Sequence, residues 1–235
     1  MKVLDRRGFI NLCWDAVLGF SFLNLLHCVF TREDELYKEI NSDGQAVDPR
    51  LIIEAGIRDE YARTFVRDNL SKHLNGDFSL ENILVALCRL NSEGVSKVVR
   101  GYRLNYGEYL KLNRYGCCAD TSIAVATAAE IARDNSFPGY EIEQIRNVLT
   151  GGEMGVLGML KWDTIEDHAL NVYVKSKNLK ILDMQENNPF VLGNFEDCLG
   201  NLCLNGKTAF VYYSRNRVYK LLESLEGRRY LLNAM

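Results

Sequence analysis

The sequence lacks an excess of charge of either sign: its 235 residues carry 28 lysine and arginine side chains against 31 aspartate and glutamate side chains. No block of like charges stands out, so the composition predicts no binding of nucleic acid or of an anionic membrane surface. Proline is scarce, with three residues, and we find no internal repeat and no low-complexity segment. The 47% share of hydrophobic residues predicts a folded globular protein and excludes a disordered or collagen-like chain.

Cysteine is too sparse, at seven residues, to form a disulfide scaffold, and the odd number leaves at least one thiol unpaired within the chain. Cys198 and Cys203 flank Gly200, and two interpretations stay open for them. They close a small disulfide loop if the protein is exported, or they are ordinary core thiols if it is not.

The first 30 residues contain the pair Arg6 and Arg7, and a long apolar stretch follows this pair. This arrangement resembles a twin-arginine export signal. Asp15 interrupts the apolar stretch, and no small-residue cleavage site follows it. The alternative is an N-terminal helix that packs one apolar stripe on the domain. We therefore expect a leader or a helix in residues 1–30 and one domain in residues 31–235. The first interpretation predicts an exported, periplasmic protein with no stable membrane span in the mature domain, and the second a cytoplasmic one.

Apolar spacing predicts helices in the first half of the chain. Apolar residues three to five positions apart predict one amphipathic helix over residues 57–74 and another over residues 80–91. Residues 121–133 are rich in alanine and poor in polar side chains, so they predict a helix that is buried nearly all round. We expect an irregular, tyrosine-rich approach to Gly116 before that helix.

The second half of the chain predicts strands, because its apolar runs are short and rich in β-branched and aromatic residues. These runs are residues 169–175, 179–184, 208–213 and 218–222. Helices followed by strands predict an α+β domain in which a mostly antiparallel sheet packs against the buried central helix.

Cys117 and Cys118 lie at the predicted start of the buried helix, and Asp120 follows them. A thiol at a helix N-terminus faces unpaired backbone N–H groups and the positive end of the helix dipole, and both favour the thiolate. The position therefore predicts a nucleophilic cysteine.

A histidine and a carboxylate lie on consecutive predicted strands, at His168 and Asp183. If the strands form a hairpin with a two-residue loop at Ser176 and Lys177, Leu170 faces Asp183. Side chains alternate along a strand, so His168 and Asp183 then share a face, whereas an odd-length loop would separate them. An even loop predicts a hydrogen bond that fixes the imidazole tautomer and leaves the other ring nitrogen to take a proton from a thiol.

The pattern Gly116-x-Cys118-x-Asp120, then His168 with Tyr173, then Asp183, resembles the transglutaminase-like superfamily of cysteine enzymes, which has a papain-like fold. The resemblance covers about residues 60–185, with 50 residues from the cysteine to the histidine and 15 from the histidine to the aspartate. It departs from the family where Leu170 replaces the usual aromatic residue and where Met184 replaces the usual proline.

The resemblance implies Cys118 as the nucleophile, His168 as general base and then acid, and Asp183 as the carboxylate that orients the imidazole. It implies acyl transfer through a thioester, which ends in hydrolysis of a peptide or amide bond or in transfer to an amine. The substrate would be a peptide or protein, and no cofactor or metal is implied.

Two hydrogen-bond donors would stabilise the oxyanion of such a reaction, and the backbone N–H of Cys118 is the natural first one. The candidates for the second are Tyr102, Tyr106 and Tyr115. We expect Asp120 to stabilise the start of the helix rather than to take part in catalysis.

Three alternatives stay open at this stage. The fold serves as a catalytically inactive peptide-binding or assembly module, or Cys117 is the nucleophile, or a zinc ion is bound by Cys117, Cys118, His168 and Asp183. Structural zinc sites usually separate paired cysteines by two to four residues, which disfavours the last alternative. The Gly-x-Cys-x-Asp register favours Cys118, and we expect Cys117 to turn toward the core.

Overall fold

In the computed structural model the chain changes from helices to strands near residue 150. The structure describes residues 39–40, 45–92, 96–97, 103–134, 139–161, 167–175, 178–183, 190–192, 208–216 and 218–222. They belong to a compact unit that begins at Glu39. The predicted leader in residues 1–30 lies outside the described residues, as do Tyr102, Cys198 and Cys203.

The helices precede the strands of the main sheet. The helices are α1 Pro49–Arg58, α2 Glu60–Asn69, α3 Leu80–Ser92, α4 Tyr106–Lys111, α5 Cys118–Arg133 and α6 Tyr140–Leu149. The strands are β1 Glu39–Ile40, β2 Ala46–Val47, β3 Ser96–Lys97, β4 Tyr115–Gly116, β5 Gly152–Lys161, β6 Asp167–Lys175, β7 Asn178–Asp183, β8 Phe190–Leu192, β9 Thr208–Tyr213 and β10 Val218–Leu222.

The described strands of the main sheet follow the order β10-β9-β5-β6-β7-β8, and each neighbouring pair is antiparallel. The predicted hairpin is confirmed, because Lys175 at the end of β6 pairs with Asn178 at the start of β7. The α+β class and the antiparallel sheet are confirmed with it. A short parallel pair, β3 with β4, lies outside this sheet and ends at Gly116.

The central helix α5 is buried over residues 119–132, as the sequence predicts. It packs on β5 and β6, and α1 to α4 and α6 contact it as well. A helix that is apolar on every side is stable only when it is enclosed in this way. The helix therefore occupies the core and holds its first residue, Cys118, next to the sheet.

The prediction of a single helix over residues 57–74 is wrong, because the helix is interrupted at Asp59, between α1 and α2. The backbone of Asp59 is extended, and its carboxylate accepts a hydrogen bond from the N–H of Ala62 at 2.9 Å. This N-cap starts a new helix despite the continuous apolar spacing. A 3-10 turn, Leu70–His73, then follows α2.

The irregular approach predicted before Gly116 is also wrong, because it contains the short helix α4. Asn105 and Glu108 form a capping box: the Asn105 side chain accepts from the N–H of Glu108 at 3.1 Å, and the Glu108 carboxylate accepts from the N–H of Asn105 at 2.9 Å. This reciprocal pair stabilises a helix of six residues. Within the described parts of the chain, no helix is both long enough and apolar enough to cross a membrane.

Candidate active site

The start of α5 is held in place by the buried carboxylate of Asp120. Its Oδ2 accepts a hydrogen bond from the N–H of Cys117 at 2.9 Å, and its Oδ1 accepts one from the N–H of Leu104 at 3.1 Å. Both bonds go to the backbone, so the structure gives Asp120 the helix-stabilising position that the sequence predicts. The second bond also ties the segment before α4 to the entrance of α5.

Gly116 is required at this place for steric reasons. A Cβ on Gly116 would lie 2.9 Å from the Cβ of Asp120 and 3.0 Å from a ring carbon of Tyr109. Any larger residue would displace the carboxylate that fixes the helix start. The glycine and the aspartate of the Gly-x-Cys-x-Asp pattern therefore form one packed unit.

A buried chain of hydroxyl groups supports the same turn of the helix. The hydroxyl of Tyr109 donates to the carbonyl of Asn91 at 2.8 Å and lies 3.1 Å from the hydroxyl of Thr121. Thr121 in turn donates to the carbonyl of Cys117 at 3.2 Å. Helices α3, α4 and α5 are thus joined beside the two cysteines.

The structure brings Cys118 and His168 together. The Cys118 thiol accepts hydrogen bonds from the Cys117 thiol, the His168 imidazole and the backbone N–H of Ala169. The bond from Cys117 lowers the pKa of Cys118 most, and the bond and positive charge of His168 lower it further, against the opposing effect of burial. These contacts favour the thiolate form of Cys118.

Cys117 has the opposite acidity. Its hydrogen bond to Cys118 raises its pKa, and so do burial and the nearby charge of Asp120. The expectation that Cys117 turns toward the core is wrong, since Cys117 is half-buried, like Cys118, and lies 3.8 Å from the Arg103 guanidinium. The bond between Leu104 and Asp120 places Arg103 there, and sequence reasoning did not identify it.

Asn171 connects the helix that carries the thiol to the strand that carries the imidazole. It is fully buried on β6, and its Nδ2 donates to the carbonyl of Ser122 at 2.9 Å and to the carbonyl of Gly155 at 3.1 Å. Ser122 lies one helical turn after Cys118, and Asn171 lies three residues after His168. One amide side chain therefore bridges α5, β5 and β6 close to both reactive groups.

Asp183 is the last residue of β7, and its side chain lies outside the described part of the chain. The last recorded pair of β6 and β7 is Asn171 with Leu182, and one further step along this register leads to Leu170 and Asp183. The backbone therefore follows the register from which the His168–Asp183 prediction was made. The hydrogen bond between the two side chains stays a prediction.

The three tyrosine candidates for the second oxyanion donor have different outcomes. Tyr102 lies outside the described residues, and Tyr106 is fully buried in the core, which removes it from the candidates. Tyr115 is 46% exposed and directly precedes Gly116. Of the two described candidates, burial therefore leaves only Tyr115 open.

The described residues contain no group of three or more His, Cys, Asp or Glu side chains that could hold a metal ion. In comparisons with known proteins, no family model, no curated protein and no solved structure matches this chain. The resemblance to the transglutaminase-like superfamily therefore rests on the motif residues and their spacing.

Proposed function

We propose that this protein is a cysteine-dependent acyl-transfer enzyme with a papain-like, transglutaminase-like fold, which hydrolyses a peptide or amide bond through a thioester on Cys118. The observation that carries the proposal is the contact of a thiol at the first position of a buried helix with an imidazole from the adjoining sheet. A nucleophile activated by a neighbouring base is the arrangement that thiol acyl transfer needs.

The residues divide the reaction as follows. The Cys118 thiolate attacks the carbonyl carbon of the scissile amide, and the backbone N–H of Cys118 lies in the first helical turn, where amides have no intrahelical acceptor. The His168 imidazolium donates its proton to the leaving amine, and a thioester forms. The neutral imidazole then takes a proton from water, and the resulting hydroxide attacks the thioester carbonyl. The acid is released and the Cys118 thiolate is regenerated.

We assign to Asp183 the role of orienting the His168 imidazole. The register of β6 and β7 supports this role, because together with the alternation of side chains along a strand it leads both residues to the same face of the sheet. Its carboxylate would hold one imidazole nitrogen protonated and leave the other directed at sulfur. Transfer to an amine follows the same path when a primary amine replaces water at the thioester.

The direct test is the reactivity of Cys118 toward iodoacetamide at mildly acidic pH, mapped by peptide mass spectrometry. At about pH 6 a free thiol with a pKa of about 8.5 is roughly 0.3% ionised. We expect Cys118 to react about two- to fivefold faster than such a thiol, because its pKa of about 4 raises the thiolate fraction about 300-fold and the lower nucleophilicity of so acidic a thiolate offsets about 60- to 180-fold of that gain. Cys88 is buried, which raises its pKa to about 12, and serves as the internal control that stays unlabelled.

Activity is tested on a library of fluorogenic peptide amides with the wild type, Cys118→Ser and Cys117→Ser. Hydrolysis that Cys118→Ser abolishes and Cys117→Ser retains supports the proposal, and the reverse result assigns the nucleophile to Cys117. Addition of a fluorescent primary amine separates hydrolysis from amine transfer. Slow labelling of every cysteine, together with peptide binding that Cys118→Ser leaves intact, would instead identify a non-catalytic binding module.

A further inference from the structure

Cys117 and Cys118 place two thiols of opposite acidity side by side at the entrance of α5. Both are free and half-buried, and they are hydrogen-bonded to each other. The Arg103 guanidinium lies 3.8 Å from the Cys117 sulfur on one side, and His168 contacts the Cys118 sulfur on the other. The proposed acyl transfer uses the Cys117 thiol only as a hydrogen-bond donor to Cys118 and gives the guanidinium no role.

We propose that the Cys117–Cys118 pair is a site of reversible oxidation by hydroperoxides, which closes a disulfide between the two residues and removes the nucleophile. The regulatory consequence rests on the proposed function, whereas the oxidation itself does not. The class of reactant is a small hydroperoxide, since both thiols are only partly exposed.

The first step consumes the hydroperoxide. The Cys118 thiolate attacks the terminal peroxide oxygen, so that a sulfur–oxygen bond forms, the oxygen–oxygen bond breaks and an alcohol leaves with a proton from the surroundings. Cys118 becomes a sulfenic acid, and the hydroperoxide is reduced to the alcohol, or to water when it is hydrogen peroxide. A thiolate that is accessible and acidic is the form that reacts in this way.

The second step uses Cys117. The sulfenic acid is uncharged, so the negative charge of Cys118 beside Cys117 is lost, while the carboxylate of Asp120 and the guanidinium of Arg103 at 3.8 Å both stay. Arg103 favours the thiolate of Cys117 against the opposing effects of burial and Asp120, and this thiolate attacks the sulfur of Cys118 and expels hydroxide. The hydroxide leaves as water with the proton that Cys117 releases. In sum, two thiols and one hydroperoxide give one disulfide, one alcohol and one water.

The geometry of adjacent residues makes this disulfide easy to reduce. Consecutive Cα atoms are about 3.8 Å apart across a trans peptide. Disulfides usually join Cα atoms about 4.4–6.8 Å apart, and departures from this range strain the bond and raise its reduction potential. A bond between Cys117 and Cys118 is therefore the labile, switching kind and not a structural one. It protects Cys118 because further oxidation to a sulfinic acid is irreversible.

The test treats the full-length protein with a small molar excess of hydrogen peroxide and maps the peptide that contains both cysteines by mass spectrometry. We expect the wild-type peptide to lose the mass of two hydrogen atoms and Cys118 labelling by iodoacetamide to fall by about tenfold or more. Dithiothreitol should restore both. In Cys117→Ser, Cys118 should instead gain two oxygen atoms and stay unlabelled after dithiothreitol. Cys88→Ser is the control and should behave as the wild type, because burial keeps that thiol out of the reaction.

A wild-type peptide that gains oxygen atoms without losing two hydrogens would overturn the inference. So would equal recovery in the wild type and in Cys117→Ser, or a cross-link from Cys118 to a different cysteine. These readouts need no substrate, so they are separate from the tests of the proposed function. If the peptide loses two hydrogens but the protein hydrolyses no amide, the proposed function is contradicted and the oxidation site is supported.

Discussion

The acidity of a cysteine in this molecule depends on its hydrogen bonds more than on its burial. Burial alone raises the pKa of Cys88 to about 12. Cys118 is half-buried, and this burial opposes ionisation, yet the bonds from Cys117 and His168 lower its pKa. The contacts of a single sulfur atom therefore decide which cysteine can act as a nucleophile.

Replacing His168 with Gln should raise the pH at which Cys118 becomes reactive. Glutamine cannot carry the positive charge that lowers the pKa of Cys118 in the wild type. The midpoint of the alkylation rate against pH should move toward the free-thiol value of about 8.5, and the rate at mildly acidic pH should fall. His73→Gln, which changes a histidine in the 3-10 turn Leu70–His73, is the matched control. An unchanged midpoint in His168→Gln would show that the imidazole does not act on the thiol.

The structure brings Cys118 and His168 together, and both candidates could be predicted from the sequence because local chemistry identifies them. Cys118 was found through its position at a helix start and His168 through its position at a strand start. Arg103 and Asn171 were missed, because nothing local in the sequence indicates that a guanidinium meets Cys117 or that an amide bridges two distant elements. The polar Asn171 inside the apolar run of β6 was the available signal.

At the scale of elements, the site depends on how α5 is held against β6. Asn171 provides two hydrogen bonds for this contact, to carbonyls of α5 and β5. Buried polar groups are costly unless they are hydrogen-bonded. Removing the Asn171 side chain takes one hydrogen bond from each of the two buried carbonyls and therefore destabilises this contact. The relative position of helix and strand is therefore sensitive to this one residue.

Asn171→Leu should lower the free energy of unfolding by about 1–3 kcal/mol and also raise the pH midpoint of Cys118 alkylation. The matched control is Asn91→Leu: Asn91 is equally buried, and its Nδ2 donates to the carbonyl of Leu87 at 2.8 Å within α3. We expect a similar loss of stability in the control but no change in the pH midpoint. Urea unfolding and the alkylation profile measure the two effects. A shared shift, or none in either variant, would mean that Asn171 has a purely structural role.

Elements were predictable where apolar spacing or strand alternation was strong. The central helix and the β6–β7 hairpin were predicted, and the hairpin register was correct. Strand β5 was missed because Gly152, Gly155 and Gly158 weaken its pattern. The structure shows why two of these glycines are there: the rings of Tyr173 and Tyr212 occupy the space that a Cβ on Gly152 and on Gly155 would need.

At the scale of the whole molecule, an ion-pair network joins the helices to the sheet at the other end of α5. Glu130 is buried and contacts Arg133 at 2.6 Å and Arg215 at 3.8 Å, and Arg215 also contacts Glu54 of α1 at 2.9 Å. Burial raises the pKa of Glu130 despite the two arginines, and the charge of Glu153 contributes in the same direction. The loss of solvation therefore outweighs the ion pairs.

Glu130→Gln should change the free energy of unfolding by less than about 1 kcal/mol at neutral pH, because it removes the buried charge together with its ion pairs. Arg133→Met should cost about 2 kcal/mol, below the 3–5 kcal/mol of a fully buried pair, since Arg133 is partly exposed. Urea unfolding measures both. Equal losses in the two variants would contradict the prediction.

Glu130 also makes the stability of the fold depend on pH. The folded chain protonates Glu130 at a higher pH than the unfolded chain does. Wild-type stability relative to Glu130→Gln should therefore rise as pH falls through the folded-state pKa, and level off below the unfolded value of about 4.3. A difference that is constant with pH would contradict the sign of the shift.

The enclosure of α5 restricts how this protein can diverge. Residues 119–132 are buried on every side, so substitutions there disturb the interior, whereas Arg103, beside the Cys117 sulfur, and Tyr115, just before Gly116, are partly exposed. If the proposed function holds, changes in substrate preference therefore arise at these exposed positions and not inside the helix. Under the proposed function, related chains would differ in substrate while the Cys118 sulfur keeps its place at the start of α5.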